Sequence, residues 1–528
     1  MVPYALKRWP EIVHEHDLEI RVAAPQLHAL VPARRVSLAD SLPQGERILV
    51  PAPRRTLRLA NGLAEFVRDH LARRGPMELV VANADEADAT DVEFLQVLAR
   101  RVDPALLTVV RQPATERQPG GVPDDTLRYR NEGFHHAMAE AGARLLERFE
   151  EDGEQWWTLL HRTTTALAAL DREDEARALL DHARRVSADP KNRATAAYAT
   201  AMLLVRHHDP SRRDPDEALS WINEAVALTS LLPDRRERAF HLGFDLNGKA
   251  LVQVRRGRVD EAFRLVEQAI ELAERDLPDA HPIHRLVLRA NRAQLLAQRG
   301  DLAGALAEFD AAIAADPGYP DYYIDRGNLL HRLGRLDEAL ADYESAMRAG
   351  PPFPEPHYNR AEIRYATGDL HGALADLDYA IELDPGFTDA YVNRAGLLVA
   401  RGELARARAD AERDHANPYL LCVLGQIESA EGRPDEARKA FDSALERDAR
   451  LPAAWAGRGV LAFESGDVEE AILDLTHAIE LADDAGTRFN RAVALRAAGR
   501  TEEARADLLR AQALAPHDED VRRALDEL

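Results

Sequence analysis

The feature that most constrains this chain is a repeat of about 34 residues that runs through its C-terminal half. A glycine turn followed five residues later by an alanine recurs eight times. The alanines are Ala262, Ala305, Ala339, Ala373, Ala407, Ala437, Ala471 and Ala504, separated by 43, 34, 34, 34, 30, 34 and 33 residues. Because each unit of a repeat array packs only on its neighbours, 528 residues need not share one hydrophobic core.

The spacing within each unit predicts a pair of α-helices. Glycine supplies the left-handed residue that ends the first helix, and Ala or Gly recurs twelve residues before each repeat alanine, where two helices approach closely. Pro317, Pro351, Pro385 and Pro516 follow the second helices, which a proline cannot continue. Aromatic residues make up only 6% of a chain rich in Ala, Leu, Arg and Glu, which favours helix over sheet.

These units resemble the tetratricopeptide repeat family. Residues 320–351 (PDYYIDRGNLLHRLGRLDEALADYESAMRAGP) and 354–385 carry nearly every signature position of that repeat. The resemblance implies a mainly α fold, a right-handed superhelical solenoid whose concave groove is lined by the first helix of each unit. We expect seven units over 286–517, about three longer and irregular hairpins over 151–285, and a helical end over 518–528.

One unit is shorter than the others. The spacing between Ala407 and Ala437 is 30 residues, about one helical turn less than in the regular units. The sequence therefore predicts a local irregularity of the solenoid at this place.

Arginines recur in the first helices with an acid sixteen residues later. The pairs are Arg292 with Glu308, Arg326 with Asp342, Arg360 with Asp376, Arg394 with Asp410, Arg458 with Asp474, and Arg491 with Asp507. A regular unit with Leu424 instead of the arginine has Ala440 instead of the acid. Charges that appear and disappear together indicate ion pairs within each hairpin, and not a phosphate-binding ladder.

A polar stripe on the first helices is the candidate partner site. Asparagines precede several of the arginines, and positions three, four and seven residues apart share a helix face. Carboxamides have donors and an acceptor that match a peptide main chain. The candidate residues are Asn291, Asp325, Asn328, His331, Tyr358, Asn359, Glu362, Tyr365 and Asn393. The alternative is that these side chains are a solvated consensus without a ligand.

The charge of the helix starts indicates the kind of partner. Asp321, Glu355 and Asp389 recur near the beginning of these helices, which favours a basic or neutral segment. The formal net charge of −23 argues against general affinity for nucleic acid or anionic membranes.

The first 150 residues have a different pattern and predict a smaller α/β domain. Strands are expected at 17–24, 46–53, 77–83 and 105–112, and helices at 56–74 and 89–102, an order typical of a parallel sheet. Residues 77–112 resemble the Walker B to sensor segment of signal-transduction ATPases. Ala82 and Asn83 stand where that family has acids, and no phosphate-binding loop precedes them. The resemblance therefore implies a degenerate nucleotide-binding fold that does not use ATP.

Other chemistry is weakly indicated. His14/His16, His135/His136, His207/His208 and His281/His284 lack further ligands at zinc-like spacing, so we interpret them as surface or core residues. GFDLNGKA at 243–250 resembles a phosphate loop but lies in a repeat helix, and the single cysteine, Cys422, is expected to be buried. No cofactor or metal is predicted.

The leading prediction is a non-catalytic scaffold or adaptor that binds a protein or peptide in its groove. The alternatives are a regulatory ATPase-like signalling protein and an enzyme with an unrecognised active site in residues 1–150. The N-terminus lacks the apolar stretch of a signal peptide, and one cysteine excludes an internal disulfide framework, so we expect a cytoplasmic protein. The repeats resemble the bacterial type of tetratricopeptide repeat, which implies a bacterial source.

Overall fold

A computed structural model describes residues 1–38, 42, 52–113, 124–207 and 209–527. The chain forms two compact units, which are described separately. The first comprises residues 1–363 with 382–384, and the second comprises residues 364–381 with 385–528.

The N-terminal part of the first unit is a small α/β layer. Its elements are α1 (Val2–Arg8), α2 (Pro10–Glu15), α3 (Asp17–Ala23), α4 (Ala52–Arg74), β1 (Met77–Val81), α5 (Ala89–Arg101) and β2 (Leu107–Arg111). The strands pair in parallel, with Met77 opposite Leu107. The predicted strand–helix–strand order over 77–112 is thus confirmed, and the apolar faces of α4 and α5 share one core with the strands.

The strand predicted at 17–24 is wrong, because these residues form α3. Glu19 and Ile20 are consecutive and both buried, whereas a strand would place them on opposite faces. The carboxylates of Asp17 and Glu19 are both paired with Arg35. The strand predicted at 46–53 falls largely outside the described residues, and residues 52 and 53 begin α4.

Antiparallel helix pairs follow the α/β layer. Their helices are α6 (Thr126–Glu132), α7 (His135–Leu146), α8 (Glu154–Ala169), α9 (Glu173–Val186), α10 (Pro190–Arg206), α11 (Pro215–Thr229), α12 (Arg235–Arg255) and α13 (Val259–Asp276). The helices α8 and α9, α10 and α11, and α12 and α13 pack against each other as pairs. The division of 151–285 into about three irregular repeat units stays a prediction. Buried residues of α7, α8 and α9 form one apolar cluster.

The regular repeats continue to the end of the chain. Their helices are α14 (Pro282–Gln298), α15 (Leu302–Ala315), α16 (Pro320–Arg332), α17 (Leu336–Ala349), α18 (Pro354–Ala366), α19 (Leu370–Leu383), α20 (Thr388–Ala400), α21 (Leu404–Ala411), α22 (Pro418–Ala430), α23 (Pro434–Arg447), α24 (Pro452–Glu464), α25 (Val468–Leu481), α26 (Ala485–Ala497), α27 (Thr501–Leu514) and α28 (Glu519–Asp526). The fold is a solenoid of tetratricopeptide-type hairpins with a small two-stranded sheet.

The packing explains the small residues of the repeat. A methyl group on Gly327 would lie 2.7 Å from the ring of Tyr343, and one on Gly459 would lie 2.9 Å from Leu475. Both partners belong to the second helix of the same hairpin, so close helix contact requires a residue without a side chain there. The irregularity predicted in the short unit is also confirmed, because α21 has eight residues where other second helices have fourteen.

Candidate functional site

Carboxamides and one carboxylate link the first helices of four successive hairpins in the first unit. Asn291 Nδ2 donates to Asn247 Oδ1 at 2.8 Å, Gln294 Nε2 donates to Asp325 Oδ2 at 3.2 Å, and Asn359 Nδ2 donates to Asn328 Oδ1 at 2.8 Å. We call these six residues the amide stripe.

The stripe follows a simple rule of spacing. On α14, Asn291 bonds to the preceding hairpin and Gln294, three residues later, bonds to the following one. On α16, Asp325 and Asn328 do the same. Because positions i and i+3 lie on one helix face, the hydrogen bonds form a continuous polar line across the helices.

The stripe is accessible to a ligand. Asn291, Asp325 and Asn359 are half-buried, and Gln294 and Asn328 are exposed. Burial raises the pKa of Asp325 to about 6. Each carboxamide retains hydrogen-bonding capacity beyond the bonds described, since it has two N–H donors and an acceptor oxygen with two lone pairs.

The other predicted site residues lie on α16, α18 and α20. His331, Tyr358 and Glu362 are half-buried and belong to the first unit. Tyr365, with 56% of its surface exposed, and the half-buried Asn393 belong to the second unit. Asn247 was missed by the sequence analysis because it precedes Asn291 by 44 residues, whereas the later pairs are 31 residues apart.

The repeat arginines are ion-paired, as predicted. The shortest distances are 2.5 Å from Arg292 to Glu308, 2.6 Å from Arg326 to Asp342, and 2.7 Å from Arg394 to Asp410, from Arg458 to Asp474 and from Arg491 to Asp507. Arg360 lies 4.0 Å from Glu344, and Asp376 accepts a bond from Arg364 at 2.8 Å. The pairing of Arg360 with Asp376 stays a prediction.

Several of these arginines also form an ion pair with a second acidic residue, which the sequence analysis did not predict. Arg326 bonds Asp310 at 2.6 Å, and Arg394 bonds Asp378 at 2.7 Å. This second acid lies sixteen residues before the arginine, on the second helix of the preceding hairpin. The guanidinium groups therefore join successive hairpins and are occupied by carboxylates of the chain itself.

Part of the α/β layer contacts the turns between repeats. Leu38 N–H donates to Asp316 Oδ1 at 2.9 Å. Arg58 lies 3.4 Å from Asp321 Oδ1, and its guanidinium carbon lies 3.9 Å from the ring centroid of Phe353. Asp321, which the sequence analysis associates with a basic partner, is thus already paired with an arginine of the same chain.

The α/β layer also contacts Glu382 and Leu383 at the end of α19. Asn61 Nδ2 donates to the carbonyl oxygen of Leu383 at 2.9 Å, and Arg101 Nε lies 2.8 Å from Glu382 Oε1. Both Asn61 and Arg101 are buried. These contacts give the α/β layer a structural role that composition and motif spacing do not reveal.

Three of these histidines have neighbours that spacing alone does not show. His16 Nε2 lies 3.2 Å from Asp69, and His207 Nε2 lies 2.9 Å from Glu173. His284 is buried and stacked on Phe244, with ring centroids 4.2 Å apart.

Two other predicted assignments are confirmed. Residues 243–250 lie within α12, as expected for a repeat helix. Cys422 is buried, and burial raises the pKa of its thiol to about 12.

Family comparison identifies the repeats. Residues 290–352, 358–419 and 422–486 match the tetratricopeptide repeat model, and residues 485–510 match a second model of this repeat. The chain therefore contains tetratricopeptide repeats, as the spacing predicts. These matches all lie C-terminal to residue 289, so the resemblance of 77–112 to signal-transduction ATPases receives no support from them. No curated protein sequence matches the chain significantly.

Several solved structures are similar to parts of the chain. A tetratricopeptide repeat protein from Parabacteroides merdae is 21% identical over 46% of this chain and 97% of its own, with a TM-score of 0.40. The APC/C hetero-tetramer Cut9–Hcn1 matches at 14% identity over 76% of this chain and 95% of its own, with a TM-score of 0.40. Yeast Tom70 matches at 16% identity over 77% and 94%, with a TM-score of 0.38. These similarities are too low to transfer a function or a partner.

In the part of the chain that the structure describes, no helix combines the length and apolarity needed to cross a membrane.

Proposed function

We propose that the protein is a non-catalytic scaffold whose repeats hold a peptide or an extended segment of a partner protein along the amide stripe. The observation that carries this proposal is the line of hydrogen bonds from Asn247 to Asn359 across four first helices. Tetratricopeptide repeats support a protein-interaction scaffold, and the stripe is a chemically suitable surface on them.

The chemistry of the amide stripe is better suited to bind the main chain of a peptide than any particular side chain. Asn291 and Asn359 each donate one described bond, which leaves a second N–H and the carbonyl oxygen for a ligand. Packed helices lie about 8–10 Å apart, and an extended strand rises about 3.3 Å per residue. Every third residue of an extended peptide would therefore meet the next carboxamide pair.

The mutual hydrogen bonds prepare the stripe for binding. A side chain already fixed in one rotamer loses less conformational entropy when a ligand arrives. Tyr358 and His331 lie on the same helices and provide apolar area beside the polar line. With a net charge of −23 on the chain, we expect the bound segment to be neutral or basic.

The double variant Asn291→Ala/Asn359→Ala tests this proposal. Both residues donate a hydrogen bond in the stripe. Their acceptor residues are half-buried or exposed, so water can replace the lost donor, and Asn328 Oδ1 keeps its 2.9 Å bond from Tyr343 OH. Alanine favours helix, so the melting temperature should change little. Capture of partner proteins from native lysate, quantified by mass spectrometry, should fall at least about tenfold for specific partners.

The matched control is Asn223→Ala/Gln268→Ala. It removes two exposed carboxamides from the second helices α11 and α13. The control should retain all partners of the wild type. Equal capture by the wild type and the stripe variant, or equal losses in the stripe variant and the control, would contradict the proposal.

A further inference from the structure

A cavity of about 210 Å³ lies in the first unit among helices that the scaffold function does not use. It is enclosed by the first turn of α4, the N-termini of α5 and α7, and the C-terminus of α8. Its lining residues are Thr56, Ala89, Thr90, Glu93, Gly133, His135, His136, Ala169 and Leu170. None of them belongs to the amide stripe.

Glu93 contributes a carboxylate to this cavity. The Thr56 hydroxyl hydrogen-bonds to Glu93, while burial raises the pKa of the carboxyl. Arg55 pairs with Glu132 at 2.8 Å, and Arg100, whose charge lowers the pKa of Glu93, donates to the carbonyl oxygen of Glu382 at 3.1 Å. Over the described ranges, no arginine or lysine forms an ion pair with Glu93.

His135 contributes a second unsatisfied group. Its side chain is buried, and Nδ1 has no hydrogen-bond partner within the described part of the chain. Burial, with a smaller effect of His136, lowers the pKa of His135 to about 4, so the ring is neutral at pH 7. With its proton on Nε2, the ring presents Nδ1 as a hydrogen-bond acceptor.

The helix ends at the cavity favour positive charge. Helix α8 ends there at Ala169, and the C-terminus of a helix carries partial negative charge. The N-terminal amides of α5 are already capped, since Asp88 Oδ1 accepts from Thr90 N at 2.8 Å and Asp91 N at 3.0 Å. The N-terminus of α7 has no side-chain cap, so the test below includes an anion.

We propose that this cavity binds a small organic cation that carries a primary ammonium or a guanidinium group. Glu93 supplies the opposite charge, and the imidazole of His135 accepts one of the remaining N–H groups. Such head groups have three to five donors and no acceptor, which matches a site rich in acceptors. A short alkyl chain would lie against Ala89, Ala169 and Leu170.

Calorimetry on the full chain with probes that carry a chain of four carbons tests the proposal. The probes are n-butylammonium, agmatine, n-butanol and butyrate, which separate the effect of charge from that of shape. We expect saturable binding of n-butylammonium or agmatine, and binding of butanol and butyrate that is at least about tenfold weaker. No saturable binding of either cation at millimolar concentration, or equal affinity for the neutral and anionic probes, would overturn the proposal.

Variants locate the binding. Glu93→Gln keeps the shape of the side chain and should weaken cation binding about 10- to 100-fold. Ala169→Leu fills the cavity without touching a polar group and should abolish binding in a chain whose circular dichroism is unchanged. The control Glu86→Gln removes an exposed acid outside the cavity and should bind as the wild type does. Undiminished binding in Ala169→Leu, or equal losses in Glu86→Gln and Glu93→Gln, would refute the assignment.

Discussion

The ion pairs between hairpins predict a stability effect that can be measured at Arg458. Its guanidinium bonds both oxygens of Asp474 at 2.7 and 2.9 Å and Asp442 Oδ1 at 2.6 Å. The side chain of Asp474 is 2% exposed and that of Arg458 is 18% exposed. Replacing Arg458 by leucine therefore leaves a buried carboxylate without its cation.

The magnitude follows from that burial. Removing one partner of a fully buried pair costs about 3–5 kcal/mol, and we expect about 2–4 kcal/mol for Arg458→Leu because Arg458 is partly exposed. Asp474→Ala should cost about 1–2 kcal/mol, since the arginine keeps Asp442 and access to water. The double variant copies the natural residues Leu424 and Ala440 and should recover at least half of the loss caused by Arg458→Leu.

The assay compares these variants with an exposed pair. Arg500 and Glu503 lie one turn apart, with 46% and 57% of their side chains exposed, so Arg500→Leu should cost far less stability than Arg458→Leu. Since repeat arrays need not unfold in one step, hydrogen exchange of α24 and α25 should accompany urea denaturation. A cost for Arg458→Leu no larger than that for Arg500→Leu, or additive losses in the double variant, would refute the reasoning.

Three further predictions follow from the first unit. Burial raises the pKa of Asp245 to about 7, opposed by a hydrogen bond from Thr229. The folded state therefore binds this proton more tightly than the unfolded state, and stability falls as pH rises from about 4 to 7. The stability of Asp245→Asn relative to the wild type should therefore increase over that range and reach a gain of up to about 4 kcal/mol above pH 7. A difference in melting temperature that does not change with pH would contradict this prediction. Arg58→Ala removes the contacts with Asp321 and Phe353 and should lower the free energy of unfolding by about 1–2 kcal/mol, with faster hydrogen exchange in the turns before α16 and α18. Unchanged exchange would show that these contacts do not stabilise the turns. Calorimetry should detect no micromolar binding of ATP, because the chain lacks a phosphate-binding loop, and such binding would overturn this expectation.

The repeat region is predictable because its physical requirements are local. Left-handed glycines such as Gly334, with φ of 72°, and close-contact positions such as Gly327 recur at fixed spacing. The ion pair of Arg326 with Asp342 follows from charges that vary together. Each of these signals occurs in several repeats, so the repeats of one sequence can be compared with each other.

The features that the sequence analysis did not predict depend on contacts that do not recur from repeat to repeat. Glu19 and Ile20 fit an alternating strand pattern, but the contact of Glu19 with Arg35 makes their helix favourable. Asn247 departs from the regular spacing because α13 and α14, through which the chain reaches Asn291, have 18 and 17 residues, whereas the next two helices have 14 and 13. The bond of Leu38 to Asp316 spans 278 residues, and no local pattern encodes it.

Hydrogen exchange of the full chain with a captured partner tests the central claim most directly. Backbone amides and crosslinks report where the partner lies without depending on a substitution. The proposed function predicts slower exchange and crosslinks confined to the first helices α12, α14, α16 and α18, with the second helices α13, α15 and α17 unchanged. Protection confined to the second helices, or to the α/β layer, would contradict a partner site on the amide stripe.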